Sequence, residues 1–336
     1  VRIAVIGATG VVGQEIVSEL QQLAQSDDAP FDLPELFASA ASAGEAVPWV
    51  EDEELVVEKY EADAVRGVEA AIVAVPAEAS GVIVTRLRQV GATAIDLSRT
   101  HRDQAPLYFD GALAPAGASL GSSTLITLPS AEALQLARVV KALQSLGPKW
   151  ARVTVLRAAS GAGQAGVKEL AESTGRLLNG QEPENPMLGH RLAFNAIPQV
   201  GAFSGATSVA EADLQREAQL LIGAGFGVAC TEVWTPWFFG HAQVVSLAFA
   251  SPVKIEEVRS LLSAAPNVKV IDDPEQQIFP MPSLTTGDEA VLVGRIRPDP
   301  LENHVIQFFS TMDNARASAA HAVKALQDVA RAKGAH

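Results

Sequence analysis

The tightest constraint on this chain lies at its start. Val1 to Ile6 is a short apolar run that feeds straight into Gly7-Ala8-Thr9-Gly10-Val11-Val12-Gly13. Apolar residues at helical spacing follow from Val11 to Gln25. Strand, glycine-rich turn and helix, in that order, specify the first crossover of an open α/β sheet. Glycine suits the turn because the backbone must reverse tightly with no Cβ in the way. Such a turn aims main-chain N–H groups and a helix N-terminus at one point, which suits a pyrophosphate. Gly7, Ala8, Thr9, Gly10, Val11, Val12 and Gly13 are therefore candidate contacts to NAD or NADP.

The same rhythm continues downstream. Leu36 to Ala38 reads as a short strand, and Ala71 to Val75 as a strand buried on both faces and stopped by Pro76. Glu78 to Val90 has helical character, and Thr93 to Leu97 is a further strand. This alternation predicts a parallel sheet with helices on both faces. Near Pro129 the texture changes. Ala131 to Leu146 has helical periodicity and stops at Gly147-Pro148. Strand signals then dominate: Val153 to Leu156, Val228 to Val233, Val244 to Phe249, Ala290 to Ile296 and Val305 to Phe309. Helix signals at Ala165 to Leu178, Glu211 to Ile222 and Ile255 to Leu262 connect them. The expected second architecture is an α+β domain, its mixed, largely antiparallel sheet carrying helices on one face. A last helix, Ala315 to Lys333, follows Asp313-Asn314, which can cap it.

Composition narrows the function. The chain has 336 residues, enough for two domains or one large one. Its formal charge of −14 disfavours a groove that neutralises phosphates, so no nucleic-acid partner is expected. No apolar run reaches the roughly 20 residues that span a bilayer. No basic segment and apolar core open the chain, and a cytoplasmic location with no membrane partner is the expectation. One cysteine, Cys230, excludes an internal disulfide framework and a multi-thiolate metal site. No metal is expected.

Several segments together resemble the aspartate-semialdehyde dehydrogenase family. Gly7 to Gly13 resembles that family's N-terminal loop. Ser160-Gly161-Ala162-Gly163-Gln164-Ala165-Gly166 is similar to its Ser-Gly-Ala-Gly-Lys-Ala-Gly turn, and Phe194-Asn195-Ala196-Ile197-Pro198-Gln199 matches its Phe-Asn-x-Ile-Pro-Gln. Gly240-His241 resembles the Gly-His that carries the family's catalytic histidine. Gly294-Arg295-Ile296-Arg297 and Asp313-Asn314-Ala315-Arg316 match its C-terminal signatures. The resemblance implies a Rossmann-type NAD(P)-binding domain at 1–128 completed by 315–336. It implies a catalytic and dimerisation domain at 129–314, and a homodimer formed through it. It places Ser160, Gly161 and Asn314 near the cofactor. The family's reaction reduces an aspartyl phosphate with NADPH through a cysteine thioester, with a histidine moving protons and arginines holding phosphate and carboxylate.

The chain departs from that chemistry at several points. The family's Asn-Pro-Asn-Cys corresponds to Leu128-Pro129-Ser130-Ala131-Glu132, so Ala131 stands at the nucleophile position. A methyl group forms no thioester. Ser130 lacks a matched base, and its simpler reading is a helix N-cap with Glu132 in the first turn. Cys230 lies on a strand, where a free cysteine is commonly inert. Trp234 replaces the carboxylate-binding arginine, and an indole cannot grip a carboxylate with two parallel hydrogen bonds. Arg157 replaces a substrate-orienting glutamine, and Glu211-Ala212-Asp213 replaces a segment that carries lysine. Around the 2′-phosphate site, Ala41-Ser42-Ala43-Gly44-Glu45 replaces a segment rich in basic residues, which disfavours NADP. Ser39 and Ser42 offer hydroxyls for a ribose or phosphate, although an ordinary small-residue loop reads the same way.

Two family positions persist. Arg102 matches the phosphate-binding arginine of Asp-Leu-Ser-x-x-x-Arg, or is a surface arginine, and His241 keeps its place as acid or base, or is a satisfied core histidine. Arg102 and Arg157 could pair as an anion site. Among family members the chain looks closest to the Usg type, which lacks the catalytic cysteine. Three readings follow: an NAD(P)-binding homodimer without the family activity, an oxidoreductase that moves hydride directly on another substrate, and a residual semialdehyde dehydrogenase.

Overall fold

The computed structural model describes residues 1–25, 29–50, 53–183 and 187–334. The chain forms two compact units, Val1–Ser130 with Ser318–His336, and Ala131–Ala317. Residues 335 and 336, assigned above to the first domain, lie outside the described residues.

The first unit is built on an eight-stranded sheet. Its strands are β1 (Ile3–Ile6), β2 (Glu35–Ala38), β5 (Glu58–Lys59), β6 (Ala70–Val73), β7 (Thr93–Asp96), β8 (Leu107–Phe109), β9 (Ala112–Ala114) and β10 (Leu125–Thr127). A separate hairpin joins β3 (Ala46–Pro48) to β4 (Glu54–Val56). The spatial order is β5-β2-β1-β6-β7-β10-β8-β9, and every pair except β8–β9 is parallel. The four residues of β1, of β6 and of β7 are all buried, as a sheet covered on both faces requires. One face packs α1 (Val11–Ala24) through Ile16, Val17 and Leu20, together with Ala322, Val323, Leu326 and Val329 of the C-terminal helix. The opposite face packs α2 (Ala77–Gln89) through Ile83, Val84 and Leu87. This is a Rossmann-like sheet. Its order reverses at β1, with β2 on one side and β6 on the other, and ligands in such sheets bind beyond the strand ends at that point.

The second unit carries β11 (Pro148–Arg157), a small hairpin of β12 (Phe203–Ser204) and β13 (Thr207–Ser208), then β14 (Gly227–Trp234), β15 (His241–Phe249), β16 (Val268–Val270), β17 (Val291–Pro298) and β18 (Val305–Met312). Six of these form one mixed sheet in the order β14-β11-β15-β18-β17-β16. The outer pairs β14–β11 and β16–β17 are parallel and the inner three are antiparallel. Along β11 the burial alternates, with Ala151, Val153 and Val155 buried and Arg152 and Thr154 exposed. The buried side packs against α3 (Ala131–Ala142), α5 (Val209–Ile222) and α6 (Ile255–Ala264), while α4 (Gly163–Leu178) follows the turn after β11. Helices therefore cover one face, as the pattern predicts.

The differences from the sequence reading are local. The helix expected to run to Leu146 ends at Ala142, and a 3₁₀ turn at Gln144–Leu146 takes over before left-handed Gly147. The strand expected at Val153 begins at Pro148, a residue tolerated at a strand's first position. The expected cap of the last helix is Asp313, whose Oδ1 accepts the N–H groups of Ala315 and Arg316 at 3.1 and 3.0 Å. No described helix is long and apolar enough to cross a membrane.

Candidate functional site

In the first unit the glycine loop leaves the carboxyl end of β1 and is held in place by its neighbours. Gly7 and Ala8 both donate to the Phe37 carbonyl at 2.8 and 3.1 Å. Gly7 has φ +95°, and a Cβ there would lie 2.3 Å from the Ala74 carbonyl oxygen. A Cβ on Gly13 would lie 1.9 Å from the Gly7 oxygen. Glycine is thus required at both positions for the first turn of α1 to close on the loop. Gly10 is the N-cap of α1 and uses no side chain for it. Ser39 and Ser42 lie in the turn after β2, exposed and half-buried, with Ser42 N–H on the Ser39 carbonyl at 3.1 Å.

Arg102 is buried in the same unit, so the surface reading is excluded. Its Nε donates to the Leu128 carbonyl at 2.8 Å and Nη2 to the Leu97 carbonyl at 2.9 Å. Beside it, buried Asp96 collects Ser80 Oγ, the Ser98 N–H and Oγ, and His101 Nδ1 at 2.6 Å.

The second unit assembles a charge cluster from four elements. α3 supplies Glu132, β11 supplies Arg157, β14 supplies Glu232 and β15 supplies His241. His241 Nε2 lies 3.1 Å from Glu132 Oε1, and Arg157 Nη2 lies 3.0 Å from the same oxygen. Arg157 Nη1 donates to Glu232 Oε2 at 2.9 Å. The guanidinium also lies over the Trp234 ring, 5.0 Å from its centroid. His241 and Glu132 are 1% and 2% exposed, so neither ring nitrogen meets bulk water. The Ala158 N–H donates to His241 Nδ1 at 3.2 Å. An acceptor at Nδ1 fixes the tautomer, so Nε2 carries the hydrogen and faces the Glu132 carboxylate.

Burial and pairing set the protonation states. Burial pushes the His241 pKa below the ordinary histidine range, against the pull of Glu132. Burial also opposes ionisation of Glu132, but the Arg157 charge and the His241 contact outweigh it and hold the carboxyl well below its usual range. Glu232 is lifted to about 7 by burial, which its Arg157 partner only partly offsets. For Arg157 burial acts to lower the pKa, and the two carboxylates reverse this and raise it. The result is a neutral histidine beside a carboxylate–guanidinium pair.

The other expected residues fall around this cluster. Trp234 is buried in an apolar group with Leu170, Leu192 and Ile197, and its backbone pairs with Ile197 in both directions. Ser160 Oγ and the Gly240 N–H both donate to Asn314 Oδ1, at 3.0 and 3.2 Å. A Cβ on Gly161 would come within 3.0 Å of the His241 ring and 3.2 Å of Trp234. Glu211 closes a capping box with Ser208 and accepts the Glu232 N–H. Cys230 donates to the Glu211 carbonyl at 3.4 Å, and burial pushes its thiol up to about 12, which removes it as a thiolate. No group of three His, Cys, Asp or Glu side chains placed to hold a metal occurs among the described residues.

Sequence reasoning placed Glu132 only in a first helical turn and missed Glu232 altogether. The available signal was a matched pair of changes. A carboxylate follows the alanine at 131, and an arginine appears at 157.

Fold and loop together define a two-domain scaffold of the NAD(P)-binding oxidoreductase class. The chain belongs to the semialdehyde dehydrogenase family, with residues 2–133 matching its NAD binding domain and residues 136–317 its dimerisation domain. The aspartate-semialdehyde dehydrogenase of Aquifex aeolicus is 28% identical over 325 residues, covering 95% of this chain and 94% of that one. A USG-1 protein homolog of Pseudomonas aeruginosa is 31% identical over 322 residues, with the same coverage of 95% and 94%. Among solved structures, aspartate semialdehyde dehydrogenase II of Vibrio cholerae complexed with ASA superposes with a TM-score of 0.88 at 27% identity, over 98% of each chain. The resemblance read from the motifs is thereby borne out for the family, and the Usg-type link is supported.

Proposed function

We propose that this chain is an NAD(P)-binding homodimer that does not carry out the family's dehydrogenase reaction. The observation that carries this reading is the head of α3. It presents a methyl group at Ala131 and, one residue later, a carboxylate 3.1 Å from the Nε2 of His241. The first leaves no sulfur to attack an acyl phosphate. The second engages the histidine that would move the proton. Trp234 offers no bidentate grip to a substrate carboxylate.

The residues of the first unit fit the dinucleotide. Gly7 and Gly13 form a cradle that a Cβ would fill, and in this reading Gly7 to Gly13 hold the pyrophosphate while Ser39 and Ser42 face the adenosine ribose. A bound nicotinamide would supply hydride transfer. Asn314, Ser160 and Gly161 keep the turn beside His241 in shape. Arg102 holds two backbone carbonyls and braces the loop after β7. The homodimer is supported by the bare face of the six-stranded sheet. There Val244 is 46% exposed, amid exposed Arg152, Thr154, Ala229 and Thr231.

Direct hydride transfer on another substrate would need a proton donor, and both nitrogens of His241 already have partners. A residual dehydrogenase would need a nucleophile, and the Cys230 thiol is held protonated.

The test is an assay with NADP, phosphate and aspartate semialdehyde, then with a panel of aldehydes and 2-hydroxy acids. We expect no NAD(P)H absorbance in any of them, together with measurable cofactor binding. Turnover on the panel alone would move the reading to direct hydride transfer. An aspartyl adduct trapped by mass spectrometry would overturn it. Ala131→Cys alone is expected to stay silent, because Glu132, Arg157 and Trp234 remain.

A further inference from the structure

We propose that Arg157 and His241, walled by Trp234 and Gly161, form a carboxylate-binding site that the chain fills with its own Glu132. Two donors from neighbouring strands converge on a single Glu132 oxygen, at 3.0 and 3.1 Å. Each is fixed from behind. The Ala158 N–H sets the His241 tautomer so that the hydrogen sits on Nε2, the nitrogen beside the carboxylate, and Glu232 and the Trp234 face hold the guanidinium. The wall is close-fitting, since a single added carbon on Gly161 would press on both rings. Convergent N–H donors of this kind, one of them a permanently charged guanidinium, recognise a carboxylate.

Glu132 behaves as an occupant of this site rather than as part of its frame. It arrives from the first turn of α3, whereas the donors stand on the sheet. Among the described residues its Oε1 has no well-aligned hydrogen-bond donor and buried Arg157 Nε has no acceptor. A carboxylate tethered to a helix reaches the donors in distance but not in angle. A free carboxylate can turn to align with them. The inference deepens the proposed function and rests on it in one respect, that Glu132 is what keeps His241 idle. The site it assigns takes small monocarboxylates once that side chain is gone.

The test uses a coincidence of chemistry. Glu132→Ala removes Cγ, Cδ and both Oε atoms, which are the four heavy atoms of acetate. Thermal unfolding of the full chain is measured with about 50 mM sodium acetate or formate against sodium chloride at equal ionic strength. Wild type should respond alike to all three salts. E132A should melt lower than wild type in chloride and recover about 3 °C in acetate, as expected for a tenfold gain in the folded-to-unfolded ratio. E132A/R157M should lose that recovery. An E132A protein that folds and responds to acetate no more than to chloride overturns the proposal, and so does recovery that survives R157M. Should E132A fail to fold, Glu132→Gln keeps the volume and removes the charge. The His241 Nε2 proton resonance should then move upfield as its carboxylate partner is lost, and an unmoved resonance overturns the proposal. These readouts are independent of turnover, so an enzyme that proves active and a site that proves absent are distinct failures.

Discussion

The two units are constrained at their candidate sites in different ways. The loop at Gly7 to Gly13 is fixed by space, because a Cβ at Gly7 or Gly13 would overlap a carbonyl oxygen. The cluster in the second unit is fixed by charge, and charge can be rearranged without moving the backbone. There the strands and the turn at Ser160 form the frame, and Glu132, Arg157, Glu232 and His241 balance one another within it. Backbone geometry tolerates few residues at a site, whereas an electrostatic site tolerates any set that balances. On the proposed reading, the same fold keeps a binding loop and gives up a reaction.

The sharpest way to break this contrast is at the loop. Gly13→Ala places a methyl 1.9 Å from the Gly7 oxygen, with backbone on the receiving side. We expect NAD(P) affinity to fall by about 100-fold or more, the effect of a misplaced helix start on a pyrophosphate. Calorimetric titration, with circular dichroism as a check on folding, reads it. Affinity within threefold of wild type would detach the cofactor from this loop.

A somewhat smaller effect is expected in the cluster. Arg157→Met leaves Glu132 and Glu232 buried without their shared partner. Breaking a buried ion pair from one side costs about 3–5 kcal/mol, and urea unfolding should report a loss in that range. Because Arg157 bridges both carboxylates, Glu132→Gln in the same background should recover part of the loss. A loss under about 1 kcal/mol would mean that solvent already screens the cluster.

Much of this architecture is legible in the sequence, and the reasons differ by region. β1, the loop and α1 are legible because periodicity, glycine spacing and a following helix agree locally. The six-stranded sheet is legible because most of its strands are long and apolar enough to carry a pattern. β8, β9 and β10 are three residues each, too short for alternation to register. The cluster is hidden for another reason. Glu132, Arg157, Glu232 and His241 meet through the fold, and no spacing along the chain announces a pairing of α3 with β11, β14 and β15.

The pH dependence offers a gentler probe of the same cluster. Glu232 has its folded pKa raised to about 7. A carboxyl raised on folding destabilises the native state progressively as pH climbs from its unfolded value to its folded one, and the penalty is constant above that. Glu232→Gln removes the titration. Relative to wild type, the variant should gain stability between about pH 4.5 and pH 7 and hold a constant difference at higher pH. Glu132 acts in the opposite sense. Its lowered pKa supplies stability that is present above its unfolded value and fades as pH falls below it. Unfolding midpoints at four or five pH values separate the two, and a difference that does not vary with pH would show that Glu232 titrates normally.

The smallest expected effect returns to the first unit and asks whether space is its only constraint. The turn after β2 reads Ala41-Ser42-Ala43-Gly44-Glu45, with no arginine or lysine to meet a 2′-phosphate and a carboxylate nearby instead. Glu45 is exposed, so solvent weakens its repulsion of a dianion, and the missing cation is the larger loss. NADP should therefore bind no more than a few fold tighter than NAD, about 1 kcal/mol at most. Glu45→Arg should shift the ratio toward NADP by a comparable factor, more at low salt than at high salt. Preference for NADP beyond about tenfold in the unaltered chain would mean that hydroxyls such as Ser39 and Ser42 hold the phosphate without a cation. Phosphate recognition, as well as space, would then shape the first unit's site, and the contrast between the two units would narrow to the reacting atoms alone.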